Sequence, residues 1–462
     1  MLKKMLEGDG EMQSRQTYKR AMEKIIVSLE ASDISTFRQH FLQLHASDQV
    51  DIFYMLSDTL QKRCFEFLSP KEFAEIFQGL EPTEQEEVFQ VLDIRYFSDV
   101  LNEMFTDNIV QFLMVVDEET RSKLLQQMKK SKAKKIAVLL QYKQETAGSL
   151  MTKEFVAITE EQTVAEVMNY LREAALTAEV IYYAYVTDVE GHLVGVISLR
   201  ELLTARPEAT VKEMMNTHAV SVDEHLDQEE VASIIQKYDL LAVPVVSKHD
   251  HLLGIITVDD VIDVMEAETT EDFGELSAVK GATDLDMSAF QTAKKRSPWI
   301  VLLMFLGLIT ASVINSFEET LEQVLLLGIF VPMIMDSAGN VGTQSLTVSV
   351  RGLTLGTLQQ GKLWSMVRRE LSTGFMMGIL CMITISLAIP VFYGDWQIGF
   401  IVGISILFTL TISAAIGAIV PLIIHKLNFD PAIASGPFIT TINDIIGLFI
   451  YFSIASSLLN VV

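Results

Sequence analysis

The sequence predicts a multidomain membrane protein in three parts: a helical N-terminal domain, a mixed α/β region and a bundle of five membrane-spanning helices. Half of the 462 residues are apolar, although 60 acidic residues face only 35 basic ones and the net charge is −25. From residue 294 onward there are eight basic and eight acidic residues, so the whole net charge lies before it. Beyond that point five apolar segments are long enough to cross a bilayer core of about 30 Å.

The composition of the N-terminal half excludes several classes of protein. A half of the chain with this much negative charge repels nucleic acid and anionic lipid headgroups and attracts cations. No nucleic-acid partner is therefore expected. Cys64 and Cys381 are the two cysteines and lie far apart, which argues against a disulfide framework or a thiolate metal site. The N-terminus, MLKKMLEGDGEMQSRQ, has no apolar segment after its lysines, so we expect a flexible stretch over 1–16 and no signal peptide.

Residues 17–143 carry apolar side chains at helical spacing, with frequent helix-start signals. The segments SPKEFAEIFQGL and EPTEQEEVFQVL repeat a cap, an acidic first turn and an apolar stripe about every dozen residues. This repetition predicts a helical solenoid, in which neighbouring units bury each other's apolar faces. An all-helical domain without a true repeat is the alternative.

From Thr146 the pattern changes to short strands that alternate with helices, and it does so twice, over about 146–205 and 206–265. Each half has Met-Thr or Met-Asn before a strand, then a helix, a β-hairpin and a closing strand that enters a helix. This order resembles a tandem pair of CBS domains. In such pairs a Gly-h-h-Ser/Thr-x-x-Asp/Glu stretch can hold an adenosine nucleotide such as ATP, and the matching residues are Ser198, Glu201, Thr257 and Asp260. Many CBS pairs are purely structural, which is the alternative.

The segment that follows, DDVIDVMEAETTED, spans residues 259–272 and has no basic residue. On a helix, Asp260, Asp263 and Glu271 fall on one face, with Glu268 and Asp272 alongside. Like charges so placed destabilise a bare helix, so something must neutralise them. Hard oxygen ligands suit Mg²⁺ or Ca²⁺. The alternative is a solvated acidic linker, and we expect a connecting helix and linker over 266–293.

The basic residues predict the orientation in the membrane. The five apolar segments are 298–317, 321–350, 371–393, 397–424 and 432–460. Basic residues precede the first segment, separate the second from the third, and separate the fourth from the fifth: Lys294, Lys295, Arg296, Arg351, Lys362, Arg368, Arg369 and Lys426. The positive-inside rule therefore predicts a multi-pass protein of the cell membrane, with its N-terminal half in the cytoplasm and its C-terminus outside.

The second span contains a polar interruption, VPMIMDSAGNVGTQSLTVSVRG. We expect Pro332, Gly339 and Gly342 to break this helix. Its oxygen-bearing side chains are Asp336, Asn340, Thr343 and Gln344. Broken backbone at membrane depth is tolerated where protein shields it or where it lines a wet cavity, so a polar pathway is predicted. A merely kinked packing helix is the alternative.

The fifth span, within PAIASGPFITTINDIIGLFIY, holds a single carboxylate. Asp444 lies beside Asn443, with Thr440 and Thr441 one turn upstream. A carboxylate near the bilayer centre costs about 2.5–3.5 kcal/mol on insertion scales and usually faces a bundle interior or a water-filled path. Asp444 is therefore a candidate cation site. The alternative is a buried aspartate held by a neighbouring hydroxyl.

The order of these parts resembles the MgtE family of magnesium channels and transporters. The resemblance covers about residues 20–460 and includes P-x-x-x-D-x-x-G-N-x-G-x-Q in the second span and D-P-A…P-F-x-T-T-x-x-D in the fifth. It implies a homodimer whose pore forms between subunits from these two spans. The pore positions that it implies are Asp444, Asn340, Gly342, Thr343 and Gln344. The polar neighbours Asp336, Thr440 and Asn443 complete the candidate set.

The resemblance also implies that Mg²⁺ is both transported and regulatory. The implied regulatory ligands are Asp260, Asp263, Glu268, Glu271 and Asp272, with Glu75 and Asp107 in the N-terminal domain. One turn after Asp107 the family pattern leads us to expect a further acid, but this chain has Gln111. One regulatory site would then be weaker.

The predicted function is inward Mg²⁺ flux that is driven by the membrane potential and closed by Mg²⁺ on the acidic cytoplasmic domains. One alternative is a carrier for another divalent ion such as Co²⁺, Zn²⁺ or Ca²⁺. A second is a membrane regulator that senses a nucleotide through the CBS pair. An enzyme is not expected, because no nucleophile with its base, thiolate cluster or phosphate-binding loop occurs at interpretable spacing.

Overall fold

A computed structural model describes residues 11–80, 82–176, 178–279, 287–354, 363–427 and 429–459. The chain divides into two compact units, Met1–Val264 and Met265–Val462, and the division falls within one helix. Residues 1–10, the part of the predicted linker over 280–286, and Lys362 lie outside the described residues.

The first unit begins with a series of mostly short helices. They are α1 (Glu11–Glu30), α2 (Ile34–Phe41), α3 (Ala46–Met55), α4 (Asp58–Phe67), α5 (Pro70–Phe77), α6 (Pro82–Val91), α7 (Ile94–Glu103), α8 (Thr106–Val115), α9 (Glu118–Gln127) and α10 (Lys130–Leu139). Residues 11–16 are therefore helical where the sequence analysis expects a flexible stretch. No Gly or Pro occurs between Glu11 and Glu30 to interrupt this helix.

The helical N-terminal domain is confirmed, and its helices follow a regular repeat. The residues that directly follow α7, α8 and α9 are Met104, Val116 and Met128, which lie 12 residues apart and are all buried. Polar caps begin several of the helices. Asp117, for example, accepts hydrogen bonds from the backbone N–H groups of Glu119 and Thr120. Asp33, Ser69 and Asp93 cap α2, α5 and α7, whereas α8 begins after Phe105 and has no side-chain cap.

The predicted CBS pair consists of two three-stranded sheets. Their elements are α11 (Ala147–Leu150), β1 (Ala157–Thr159), α12 (Val164–Ala174), β2 (Tyr183–Thr187), β3 (Leu193–Ser198), α13 (Leu199–Thr204), α14 (Val211–Met214), β4 (Val222–Asp223), α15 (Gln228–Tyr238), β5 (Ala242–Val246) and β6 (Leu252–Thr257). In both sheets the first strand is parallel to the second, and the second is antiparallel to the third. The two halves therefore repeat one topology.

The acidic segment forms one helix, α16 (Val258–Leu276). It begins inside the region predicted for the second CBS domain, directly after β6, and includes the whole acidic run. The helix after the linker begins at Ala289, so residues 289–293 are helical.

Five of the described helices are long and apolar enough to cross a membrane, as predicted. The helices of the second unit are α17 (Ala289–Ser316), α18 (Glu318–Gln323), α19 (Leu326–Thr354), α20 (Leu363–Tyr393), α21 (Trp396–Lys426) and α22 (Gly436–Leu459), with a 3-10 turn at Pro431–Ile433. The spans in order are α17, α19, α20, α21 and α22. The protein is a multi-pass membrane protein.

The second span is a single continuous helix, so the predicted break at Pro332, Gly339 and Gly342 was wrong. Pro332 lies in the second turn of α19, where neighbouring helices and local adjustments tolerate a missing N–H in a membrane. The glycines serve close packing instead. A Cβ on Gly339 would lie 2.7 Å from Thr440 Cγ2, and a Cβ on Gly342 would lie 1.9 Å from Asn443 Nδ2.

The second, fourth and fifth spans meet at Gly342. On the fourth span, a Cβ on Gly417 would lie 2.2 Å from the backbone oxygen of Gly342. Small residues at such positions let helix backbones approach closely, which is the main source of helix association in lipid. The position of the second span is therefore fixed from two sides by steric contact.

We expect Gly417→Ala to destabilise the membrane domain by about 1–3 kcal/mol or more, because the added methyl meets backbone that cannot move aside. Gly307→Ala is the matched control, since a Cβ there meets no atom within 4 Å among the described residues. Thermal unfolding of the purified protein in detergent measures both variants. Equal melting temperatures would contradict the packing at Gly342.

Candidate functional site

The first candidate site lies on the fifth span, where Asp444 is partly buried. Asp430 begins the 3-10 turn by accepting a 2.8 Å hydrogen bond from the backbone N–H of Ala432, and the span starts at Gly436. Thr440 and Thr441 donate their hydroxyl protons to backbone oxygens one turn earlier. Among the described residues, Asp444 Oδ1 is buried and has no hydrogen-bond partner. No neighbouring hydroxyl satisfies this oxygen, which favours a cation site over the alternative of a pinned aspartate.

Asn443 and Gly342 were predicted as pore positions, but both are buried inside the bundle. Asn443 is fully buried, and its Nδ2 donates a long hydrogen bond of 3.5 Å to the backbone oxygen of Ala338. Gly342 packs against Asn443 and Gly417. Within one chain these two residues join the second span to the fifth. Asp444, the residue after Asn443, lies on the adjoining face of the fifth span.

The second span presents a polar face to the surroundings of the single chain. Asp336, Asn340, Gln344 and Thr347 are all exposed, and Thr343 is partly buried beside them. Their spacing of about three or four residues puts them on one side of α19. Asp336 lies near enough to Asp444 for the two carboxylates to interact electrostatically. Because such groups are costly in lipid, this face requires water or a protein partner.

The second candidate site is a group of carboxylates in the first unit. Asp107 lies in the first turn of α8, Asp260 in the first turn of α16, and Glu179 between α12 and β2. One oxygen from each of the three lies within 4.8 Å of the others. Among the described residues this is the only group of three metal-ligating side chains so close together. We call Asp107, Glu179 and Asp260 the carboxylate cluster.

Local contacts position the members of the carboxylate cluster. The backbone N–H of Thr257 donates to Asp260 Oδ2 over 3.2 Å, and its hydroxyl donates to the same oxygen. The backbone N–H of Glu179 donates to the backbone oxygen of Glu154 over 2.9 Å. Asp107 and Asp260 both lie at helix N-termini, where the helix dipole favours negative charge. Among the described residues neither oxygen of Asp107 has a hydrogen-bond partner, although this residue is fully buried.

The surroundings of the carboxylate cluster disfavour three negative charges at once. Burial, followed by the charges of Glu179 and Asp260, raises the pKa of Asp107 well above its ordinary value. Burial is also the main cause that raises the pKa of Glu179 to about 7. The same cause raises the pKa of Asp260 to about 6, against the opposing hydrogen bond from Thr257. The cluster is therefore stable with bound protons or with a bound cation.

The donor atoms of the carboxylate cluster fit a hard divalent cation. They are carboxylate oxygens without nitrogen or sulfur ligands, which suits Mg²⁺ or Ca²⁺. The unpartnered oxygens of Asp107 are available for coordination or for water bound to an ion. Glu179 was not predicted from the sequence.

Other predicted regulatory ligands lie outside the carboxylate cluster. On α16, Asp263 and Glu271 are exposed and Glu268 and Asp272 are partly buried. Glu75 is exposed on α5. Gln111 lies one turn after Asp107 on α8 and is also exposed, so no carboxylate extends the cluster along that helix.

The two predicted nucleotide motifs differ in their surroundings. Ser198 and Glu201 form a capping box at the start of α13, in which the backbone N–H and hydroxyl of Ser198 both donate to Glu201 Oε2. Thr257 and Asp260 make equivalent contacts at α16. Because Asp260 also belongs to the carboxylate cluster, an anionic phosphate near the second motif would meet repulsion. Only the first motif has an exposed acid, Glu201.

Comparison with known proteins covers the whole architecture. The family model described as "Divalent cation transporter" (MgtE) matches residues 331–454, the MgtE intracellular N domain matches 44–145, and the CBS domain matches 147–208 and 211–267. The chain is 37% identical to the magnesium transporter MgtE of Bacillus subtilis, with 97% of this chain and 100% of that protein covered. It is 38% identical to the magnesium transporter MgtE of Enterococcus faecalis, with 94% and 96% covered.

A solved structure is also similar to the N-terminal part. The cytosolic domain of the Mg²⁺ channel MgtE in complex with ATP superposes with a TM-score of 0.51 at 35% identity, and covers 53% of this chain and 99% of that structure. The long relatives are transporters and not enzymes. By the extent and identity of these matches, the chain belongs to the MgtE family of magnesium transporters.

Proposed function

We propose that two copies of the chain form a Mg²⁺-selective pathway through the cell membrane. Inward flux follows the membrane potential and stops when Mg²⁺ binds to the cytoplasmic domains. The observation that carries this proposal is the buried, unpartnered oxygen of Asp444, which lies beside the exposed polar face of the second span.

The position of the polar face supports the homodimer. A second copy that covers Asn340, Gln344 and Thr347 would remove these side chains from lipid and enclose water between the two chains. Two Asp444 carboxylates then face one path. Mg²⁺ gives up its water reluctantly and is usually bound by one or two carboxylates with several waters retained. Such a pair suits a hydrated Mg²⁺ ion.

The membrane potential supplies enough energy for inward flux. A divalent ion gains about 4.6 kcal/mol per 100 mV of inside-negative potential, since each charge gains about 2.3 kcal/mol. ATP hydrolysis and a second coupled ion are therefore unnecessary. The distribution of basic residues supports an N-terminal half in the cytoplasm and a C-terminus outside.

Closure by Mg²⁺ is attributed to the carboxylate cluster together with the acidic face of α16. When Mg²⁺ is scarce, burial and mutual repulsion oppose negative charge on these three carboxylates, and the cost of that charge grows as pH rises. Bound Mg²⁺ removes this repulsion and stabilises the arrangement of α8 and α16 with the loop that holds Glu179. A cation that binds one of two states shifts the equilibrium toward that state. Asp263, Glu268, Glu271, Asp272 and Glu75 are further predicted ligands.

ATP binding is assigned to the first nucleotide motif. The similar cytosolic domain was solved with ATP, which supports a nucleotide ligand in this chain. Glu201 would accept hydrogen bonds from the ribose hydroxyls, and Ser198 would lie near the phosphates. Carboxylates surround Asp260 in the second motif, so we place no nucleotide there.

We expect Asp444→Asn to lower Mg²⁺ uptake at least tenfold, because the substitution removes the charge that attracts the ion. Uptake is measured in proteoliposomes that contain a Mg²⁺-sensitive dye, under an imposed inside-negative potential. Glu319→Gln is the control, because Glu319 is an exposed acid on α18 outside the proposed path. If native folded dimers take up another divalent ion but not Mg²⁺, the proposed selectivity is wrong. If no ion crosses the membrane, the proposal of an ion pathway is itself wrong.

We expect the stabilising effect of Mg²⁺ to depend on pH. The folded-state pKa values of Glu179 and Asp260 are raised, so the ion-free protein loses stability as pH rises from their ordinary values near 4 to about 7. At pH 7.5, Mg²⁺ at 100 times its Kd should restore about 2.7 kcal/mol. At pH 5 bound protons compete with the ion, so the effect should be much smaller. Thermal unfolding of the full-length protein with and without Mg²⁺ measures it.

Asp107→Asn tests whether the carboxylate cluster causes this effect. The variant should be more stable than the native chain without Mg²⁺ at pH 7.5, and it should gain less stability and less protection from trypsin when Mg²⁺ is added. Asp99→Asn is the control, since Asp99 is an exposed acid on α7 of the same domain. An unchanged response of Asp107→Asn to Mg²⁺ would show that the ion acts elsewhere.

We expect Glu201→Ala to weaken ATP binding at least tenfold, because hydrogen bonds to a charged group contribute about 1.5–3 kcal/mol. Glu213→Ala is the matched control: it removes the glutamate of another capping box, at α14, which is not part of a nucleotide motif. Titration calorimetry of the full-length protein measures both. Equal affinity of the two variants would exclude the first motif as the ATP site.

A further inference from the structure

The third span contains a buried carboxylate that the proposed function does not use. Glu370 lies in the eighth position of α20 and is only 6% exposed. Ionisable groups inside membrane spans are rare and usually have a partner and a role. Glu370 is remote from the predicted pore positions in sequence and was not among the candidate residues.

Both oxygens of Glu370 have partners. The hydroxyl of Ser345 donates a 3.1 Å hydrogen bond to Glu370 Oε2. The guanidinium of Arg369 donates to Oε1 from Nη2 over 3.1 Å and from Nε over 3.3 Å. The Arg369 side chain is 64% exposed and the Glu370 side chain 9%, so the ion pair has one open side and one buried side. A satisfied, neutralised carboxylate of this kind does not need an ion, and its role is structural.

The hydrogen bond joins two spans that otherwise have little contact. The third span packs along the fourth, where Gly374 and Gly378 allow close approach, and it meets the second at few residues. Ser345 is 2% exposed and belongs to the second span. The contact between Ser345 and Glu370 therefore ties the second span to the third, while close packing of Gly342 on Gly417 joins it to the fourth.

Ser345 lies on the back of the second span relative to its polar face. Each residue turns an α-helix by about 100°. Ser345 is therefore about 180° from Asp336, about 140° from Asn340, about 160° from Thr347 and about 100° from Gln344. A contact at Ser345 limits rotation of the helix about its own axis, and rotation would turn the polar face into the bundle or toward lipid.

We propose that Glu370 is a positioning residue for ion transport: through Ser345 it fixes the rotation of the second span and keeps Asn340, Gln344 and Thr347 directed toward the pathway. Arg369 neutralises the carboxylate so that it accepts the serine hydrogen bond without acting as an ion site. This inference rests on the proposed function for its effect on flux, but its structural part can be tested without flux.

The first test measures flux per folded dimer in the dye-filled proteoliposomes. Ser345→Ala and Glu370→Ala should each lower Mg²⁺ flux about tenfold, and Glu370→Gln, which still offers an oxygen to Ser345, should retain most of it. Ser349→Ala is the matched control. Ser349 is fully buried on the same helix, but its hydroxyl donates to the backbone oxygen of Ser345 and not to Glu370. A double variant with both Ser345→Ala and Glu370→Ala should have a Mg²⁺ flux no lower than that of Glu370→Ala alone.

The second test reads the rotation of the helix directly. A cysteine is introduced by Thr347→Cys after Cys64 and Cys381 are replaced by serine, and its reaction with a water-soluble thiol reagent is followed in the full-length protein. Ser345→Ala should change this rate several-fold, and Ser349→Ala should leave it unchanged. Equal rates and equal fluxes for the two serine variants would overturn the positioning role. A native chain that carries no Mg²⁺ would overturn the proposed function, and the thiol rates would still decide the role of Glu370.

Discussion

The membrane unit depends on the close contact of three helices at Gly342. A methyl group at this position would meet Asn443, and one at Gly417 would meet the backbone of Gly342 itself. Lipid offers no hydrophobic force to press helices together, so such close contacts between small residues provide the attraction. Their effect on function is indirect. They set the depth of the second span relative to the fifth, and thereby the position of Asn340 relative to Asp444.

In the acidic N-terminal half, carboxylates that repel one another are kept close together. Asp107 is fully buried without a hydrogen-bond partner among the described residues, and Glu179 and Asp260 lie within 4.8 Å. A neutral residue in place of one of these three acids would lessen the repulsion and make the domain more stable. Because the arrangement is most favourable when a proton or a cation is present, its stability reports the concentration of that ion. In the proposed function, this coupling is the physical basis of closure by Mg²⁺.

The sequence predicted the features that depend on local pattern. Five apolar segments, the doubled CBS order, Asp107 and Asp260 could all be recognised before the structure. Glu179 could not, because its place beside two helix N-termini depends on tertiary packing. Glu370 lies just outside the predicted third segment, 371–393, because that apolar segment begins after the charged residue. The helix itself begins earlier, at Leu363. Pro332 and the glycines suggested a broken helix because their packing partners on other spans are invisible in sequence.

The second span contacts three of the other spans. Ser345 ties it to the third span, Gly342 packs against Gly417 on the fourth, and Ala338 accepts the hydrogen bond from Asn443 on the fifth. The fifth span has a further contact with the second, because the Tyr451 hydroxyl donates a 2.9 Å hydrogen bond to the backbone oxygen of Leu327. The second, fourth and fifth spans therefore form the most closely packed part of the unit. The first span has Thr310 as its one buried residue among those described, so it is the span least enclosed by the others.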